Sequence, residues 1–216
     1  MTLMSRILIL SYLRQKMRRL PLVTYQKLRV WKFEFLSDAI NVVSLARHNQ
    51  PVLMTGCGKI QLGKCNLGVW PSPLYLSGYI HIEARNPDAE IVIGDGVVIS
   101  NNASIIAEQS RIEIGDNTLI GTEFMILDSD FHGIHPDNRV SGMHKAAPII
   151  IGKNVFVAAR VTVLKGVSIG DNSVIASGAV VTRDVPSNSI AAGIPARVIA
   201  KIPVSEINIE NAVNYS

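Results

Sequence analysis

The chain has 216 residues, of which 48% are hydrophobic, 18% charged and only 6% aromatic. That composition excludes a disordered chain, and no run approaches the roughly 18 apolar residues that a membrane-spanning helix needs. The net charge of +4 invites a polyanionic partner, but residues 1–50 carry nine basic and two acidic side chains, while the rest carries 12 against 15. Basicity confined to one quarter of the chain argues against nucleic acid.

In chain order, residues 1–50 read as a basic helical segment. Leu3, Ile7, Leu10, Leu13, Met17 and Leu20 recur at steps of three and four, with Arg14, Lys16, Arg18 and Arg19 mostly elsewhere on the wheel. Pro21 should stop or restart this helix, and a second is predicted over about residues 24–48. The apolar run is short, its charges follow it and no small-residue cleavage site is present, so a signal peptide is rejected. Such a helix either packs its stripe on a neighbouring structure or lies on an anionic membrane surface. Cys57 and Cys65 form neither a disulfide framework nor a zinc spacing, which suits a reducing cytosol.

From residue 51 the texture changes to Gly, Ile, Val and Asn. Ile151, Val157, Val163, Ile169, Ile175 and Val181 are spaced by six, as are Ile93, Ile99 and Ile105, and again Ile114, Ile120 and Ile126. A six-residue period fits neither an amphipathic helix nor an alternating strand. It does fit a triangular coil with flat strand faces, one inward aliphatic anchor per face and Gly or Asn at the corners. Stacked coils turn the β-branched anchors into ladders, and a narrow prism leaves no room for aromatic rings. The predicted fold is therefore an all-β core of hexapeptide repeats, over residues 51–204, followed by a C-terminal tail at 205–216.

Two interruptions break the period. Ile105 to Ile114 is nine residues, a small extension near Ala107–Ser110, and Ile126 to Ile151 is 25. The second insertion, about residues 128–148, holds His132, His135 and His144, with Asp128 and Asp130 close to the first. A long excursion from a rigid scaffold is where binding and catalysis concentrate.

These features resemble the hexapeptide-repeat acyltransferases, over about residues 58–202. The run from Ala176, Ala-Ser-Gly-Ala-Val-Val-Thr-Arg-Asp-Val-Pro-Ser-Asn-Ser-Ile-Ala-Ala-Gly-Ile-Pro-Ala-Arg-Val-Ile, is similar to the segment that ends the coil in sugar acetyltransferases. The nearest likeness is to the galactoside, maltose and Nod-factor enzymes and to O-acetyltransferases of surface polysaccharides. The resemblance implies a left-handed parallel β-helix, a hand that spacing alone does not give. It also implies a cytoplasmic homotrimer with sites between subunits, acetyl-CoA as co-substrate, no metal, and a sugar or glycan acceptor.

By the same resemblance, Asp128-Ser129-Asp130-Phe131-His132 places His132 as general base. An imidazole titrates near the working pH and can take the proton of an attacking hydroxyl. Asp130 or Asp128 would orient the ring, or either is a plain loop acid. His135 and His144 face substrate or are ordinary loop residues. Asn101 matches an acceptor-binding asparagine, with a corner or ladder role as the alternative. Ala159 and Ser177 match main-chain contacts to pantetheine. Thr182, Arg183 and Arg197 match contacts to the CoA nucleotide, where arginine can fork onto phosphate oxygens. Gly193 and Pro195 shape the turn over the adenine, and an oxyanion donor is expected near Ala158 and Ala159. Phe156 stands where many relatives carry Trp, and Ala158 where Gly is common.

Three other functions are open to such a prism. N-acetylation of a nucleotide-linked amino sugar would depend less on His132, because an amine needs less help from a base. A non-catalytic scaffold would keep the coil without the loop chemistry. A γ-class carbonic anhydrase would use the same prism with zinc held across subunits. Three histidines in one insertion do not match that last pattern.

Overall fold

The computed structural model describes residues 3–140 and 144–203, with side chains from residue 20 onward. The expected C-terminal tail, and the side chains of the stripe from Leu3 to Met17, lie outside that set.

The repeats fold into a three-faced parallel β-helix. The first face stacks six strands, Asn41–Ser44, Lys59–Leu62, Glu90–Ile93, Arg111–Ile114, Ile149–Ile151 and Ser168–Ile169. The second stacks Arg47–His48, Asn66–Leu67, Val98–Ile99, Leu119–Ile120, Phe156–Val157 and Val174–Ile175, then ends in Ser189–Gly193 and Ala196–Lys201. The third stacks Val52–Thr55, Ile80–Ala84, Ser104–Ala107, Met125–Leu127, Thr162–Leu164 and Val180–Val181. Every pairing among these strands is parallel except the last on the second face, where Ala196–Lys201 runs antiparallel to Ser189–Gly193.

All twelve anchors at six-residue spacing point inward and are at most 3% exposed. The register stacks like on like, as in Ile91 on Ile112 on Ile149 and Ile105 on Ile126 on Val163. Each buried Ile or Val contributes about 1.5–3 kcal/mol, so the ladders dominate stability. The corners are set by residues that tolerate a left-handed backbone. Asn154, Asn172 and Asn188 have φ of 53°, 59° and 55° and stack. The Asn154 Nδ2 donates to Asn172 Oδ1 at 2.8 Å, and the Asn172 Nδ2 to Asn188 Oδ1 at 3.1 Å. Asparagine is among the few non-glycine residues that adopt this conformation readily.

The N-terminal quarter differs from expectation. A single helix, α1 (Leu3–Leu36), runs through Pro21, and strand pairing starts at Asn41, not near residue 51. The predicted second helix therefore ends about twelve residues early. Tertiary contacts outweigh the helix-breaking of an internal proline, which costs about 3 kcal/mol. Gln26, only 6% exposed, donates to the carbonyls of Asn49 and Tyr75, and Arg29 donates to those of Tyr75 and Gly78. The Ser37 Oγ accepts the Met54 N–H at 3.0 Å, and Phe33 lies 5.0 Å from the Tyr79 ring. The second half of α1 is thus latched to the first coils. No helix among the described residues is long and apolar enough to cross a membrane.

Candidate active site

The long insertion leaves the third face after Leu127 and rejoins the first face at Ile149. Asp128 pins its root. This carboxylate is fully buried and accepts the N–H groups of Glu108, Gln109 and Ser110 at 2.7, 3.1 and 2.7 Å. One side chain thus holds the two interruptions of the repeat together. Its carbonyl accepts the Ala147 N–H at 2.8 Å, and Ser129 bridges Ala146, so both ends of the insertion are clamped.

Within the insertion His132 is exposed, and its Nδ1 lies 2.9 Å from the Arg139 carbonyl oxygen. A carbonyl only accepts, so Nδ1 carries the proton and Nε2 of the neutral ring holds the free lone pair. That nitrogen has no hydrogen-bond partner among the described residues. His132 lines a cavity of about 250 Å³ together with Asp130, Ile134, His144, Lys145 and Lys165. Asp130 does not orient the imidazole: its carboxylate is bonded to the Lys165 ammonium, which also donates to the Lys145 carbonyl at 2.8 Å. The backbone of Arg139 has the orienting role instead, a partner that side-chain motifs do not reveal. Among the other two loop histidines, His135 is exposed and accepts the Asp137 N–H within a short 3-10 turn, Pro136–Asn138.

His144 belongs to an ion-pair chain that the sequence did not announce. Its Nε2 is 2.8 Å from Glu108 Oε2, Glu108 Oε1 is 3.8 Å from Arg85, and Arg85 is 2.7 Å from Glu83, which also meets His81 at 3.1 Å. The Arg85 guanidinium lies over the Phe131 ring at 4.8 Å, so the chain ends directly beneath the loop. Burial pushes the Glu83 carboxyl up, but hydrogen bonds from Arg85 and His81 outweigh it and hold the group below its ordinary value.

The residues matched to the cofactor lie on two other parts of the prism. Ala159 and Ser177 occupy successive turns of the corner between the second and third faces, and the Ser177 Oγ donates to the Ala159 carbonyl at 2.9 Å. The Ala158 N–H serves the ladder and the Arg160 N–H reaches Thr122, leaving the Ala159 N–H without an acceptor among the described residues. Below, Gly121 admits the turn because a Cβ there would meet the Ala159 nitrogen at 2.6 Å. Thr182 and Arg183 are exposed beyond the last third-face strand. Gly193, at φ 99°, and Pro195 form the turn before Arg197, whose Nη1 donates to the Ala196 carbonyl.

Asn101 sits in the same corner as Ala159, yet the acceptor contact expected of it is closed off. Its side chain is fully buried, its Oδ1 accepts the Val69 N–H, and its Nδ2 reaches the carbonyls of Val69, Ser72 and Pro73 at 3.0, 3.0 and 2.8 Å. It is a clamp for the loop at residues 69–78. One protomer therefore places His132 on one edge of the prism and Ala159 with Ser177 on another, and does not bring them together.

Residues 148–183 match the family model described as bacterial transferase hexapeptide (six repeats). Over 114 residues the chain is 40% identical to galactoside O-acetyltransferase of Escherichia coli (strain K12), covering 53% of this chain and 55% of that protein. Residues 148–183 thus carry the repeat of that family. Among solved structures, a galactoside acetyltransferase in complex with coenzyme A is 32% identical with a TM-score of 0.53, covering 76% of this chain and 66% of that one. A maltose O-acetyltransferase from Clostridium difficile 630 is 28% identical with a TM-score of 0.50, covering 79% and 73%. This hexapeptide-repeat chain spans little more than half the length of the curated relatives it matches. Its fold is the left-handed parallel β-helix.

Proposed function

We propose that this chain transfers acetyl from acetyl-CoA directly to a sugar hydroxyl of a surface glycan or its precursor. The observation that carries the reading is His132, with Nδ1–H fixed by the Arg139 carbonyl and Nε2 open to a cavity in the insertion. In the reaction the acceptor oxygen attacks the thioester carbonyl while Nε2 takes the hydroxyl proton. The tetrahedral intermediate collapses, the C–S bond breaks, and the imidazolium returns the proton to the departing CoA thiolate. The free Ala159 N–H supplies a donor for the pantetheine arm or the developing oxyanion. Thr182, Arg183 and Arg197 would meet the nucleotide phosphates. A galactoside acetyltransferase binds coenzyme A in its solved complex, and galactoside and maltose enzymes are among the relatives, which supports this cofactor and acceptor class.

Separation of His132 from the Ala159 corner supports sites built between subunits of a homotrimer. The second face offers a contact strip, because the outward residues Val98, Leu119, Phe156 and Val174 stack in register, with Leu119 and Phe156 each 48% exposed. Use of acetyl-CoA supports a cytoplasmic location. Any membrane contact would belong to α1, whose later half is held on the β-helix yet leaves Leu28 and Phe35 exposed. The test is His132→Ala in a thiol-release assay with acetyl-CoA and a panel of hydroxyl and amino sugars. Loss of a general base should lower kcat about 10²- to 10⁴-fold. A variant within threefold of the parent would sink the mechanism, and turnover confined to amino sugars would redirect it to N-acetylation.

A further inference from the structure

Where α1 crosses the first coils it leaves a groove remote from His132. Three cavities of about 350, 240 and 380 Å³ adjoin there, and all three are lined by Tyr75. Together they fall within the roughly 300–1,000 Å³ typical of small-molecule sites. Trp31 lines one end and Trp70 the other, 65% and 51% exposed. Trp70 meets Tyr75 edge-on at 5.3 Å, so two rings form a corner. Exposed indoles bury little of their apolar area, and a pair of them on one groove points to an occupant.

The remaining lining states the chemistry of that occupant. Outward residues of the second face begin polar, Arg47 then Asn66 in register, before the apolar strip starts at Val98. The Asn66 side-chain amide and the Arg47 guanidinium make no hydrogen bond among the described residues. Asn49 spends its Nδ2 on the Gly68 carbonyl and keeps Oδ1 available. His48, with Nδ1 3.3 Å from Glu34, lines the same cavity. Aromatic faces beside neutral amides match a sugar ring, whose C–H face is apolar and whose rim of hydroxyls both donates and accepts. A lipid chain would leave the amides unpaired. Against a phosphorylated ligand, Glu34 offsets one of the two positive charges of Arg47 and Lys27.

We propose that this groove is a saccharide-binding site that holds neutral sugar units of the acceptor away from the one being acetylated. The inference rests on the acceptor being a glycan. Both tryptophans of the chain lie on the groove, so intrinsic fluorescence reports on this place alone. The full-length protein is titrated with maltopentaose, cellopentaose and a β-1,4-galactan tetrasaccharide, with thiol release from acetyl-CoA followed in parallel. The expected result is a saturable change with at least one probe at a dissociation constant near or below about 1 mM. Trp70→Ala or Asn66→Ala should weaken it about tenfold with an unchanged circular dichroism spectrum, and His132→Ala should leave it intact. No saturable change with any probe overturns the groove, as does wild-type binding by both groove variants or loss of binding in His132→Ala. Acetyl transfer with flat fluorescence removes the groove and keeps the enzyme; saturable binding without transfer to any sugar keeps the groove and removes the enzyme.

Discussion

Asp128→Asn is the most informative single change, because one buried carboxylate closes both breaks in the repeat. In the parent, Oδ1 takes the Glu108 N–H, and Oδ2 takes those of Gln109 and Ser110. Asparagine can keep its oxygen towards the latter pair, but its NH₂ then faces the Glu108 N–H, donor against donor. Two charge-assisted bonds become neutral, at about 1 kcal/mol each, and the opposed buried donors add about 1–3 kcal/mol. The total is about 3–5 kcal/mol, and at about 2–4 °C per kcal/mol for a chain of this size Tm should fall by roughly 6–20 °C. Thermal unfolding followed by circular dichroism at neutral pH measures it. Asp130→Asn is the control: its partner is the partly exposed Lys165, and such pairs contribute about 0–1 kcal/mol. A drop below about 3 °C for Asp128→Asn, or one no larger than the control's, would refute the reasoning.

The Glu83 carboxyl is held below its ordinary value, so its stabilisation is full above the usual carboxylate range and disappears as pH falls through the lowered value. Glu83→Gln should therefore flatten the acid limb of urea stability below about pH 4; a limb as steep as the parent's would contradict this. Burial pushes the Cys65 thiol up to about 11, while Cys57 is exposed. A thiol-specific chromogenic reagent at neutral pH should count one fast cysteine in the native protein and two in guanidinium, and two fast thiols at the outset would be inconsistent with the packing. Leu119→Asp together with Phe156→Asp should reduce the mass seen by light scattering to that of one chain, and an unchanged assembly would show that the subunits meet elsewhere.

The core was legible because its cause is periodic: a six-residue step of Ile and Val cannot be satisfied by another regular structure, and every anchor it named is buried. The first coils were not legible. Val52, Met54, Ile60, Leu62 and Leu67 are buried there, but their steps are uneven and only Met54 to Ile60 is six. Running α1 through Pro21 depends on contacts made by Gln26, Arg29 and Ser37 with distant carbonyls and amides, which no local pattern encodes. In the site, His132 was named by resemblance and by its place in the insertion, and it lines the cavity there. Its orienting partner is a backbone carbonyl, and Asp130 and Asn101 were assigned by motif although their bonds go to Lys165 and to the chain itself. Glu108 and Lys165 were missed because each reads as an ordinary polar residue until the insertion folds over it.

The reversal at the C-terminal end bears on how long such an object can become. A parallel coil is open-ended by construction, since the last rung presents the same unpaired edge as the one before, and a second molecule could continue it. On the second face Ala196–Lys201 turns back against Ser189–Gly193, so the exposed edge there runs the wrong way for another parallel rung. Arg197 and Lys201 on that strand add like charges that oppose pairing with a copy of itself. On that face the hairpin is thus a stop to further parallel pairing as much as an end to the fold.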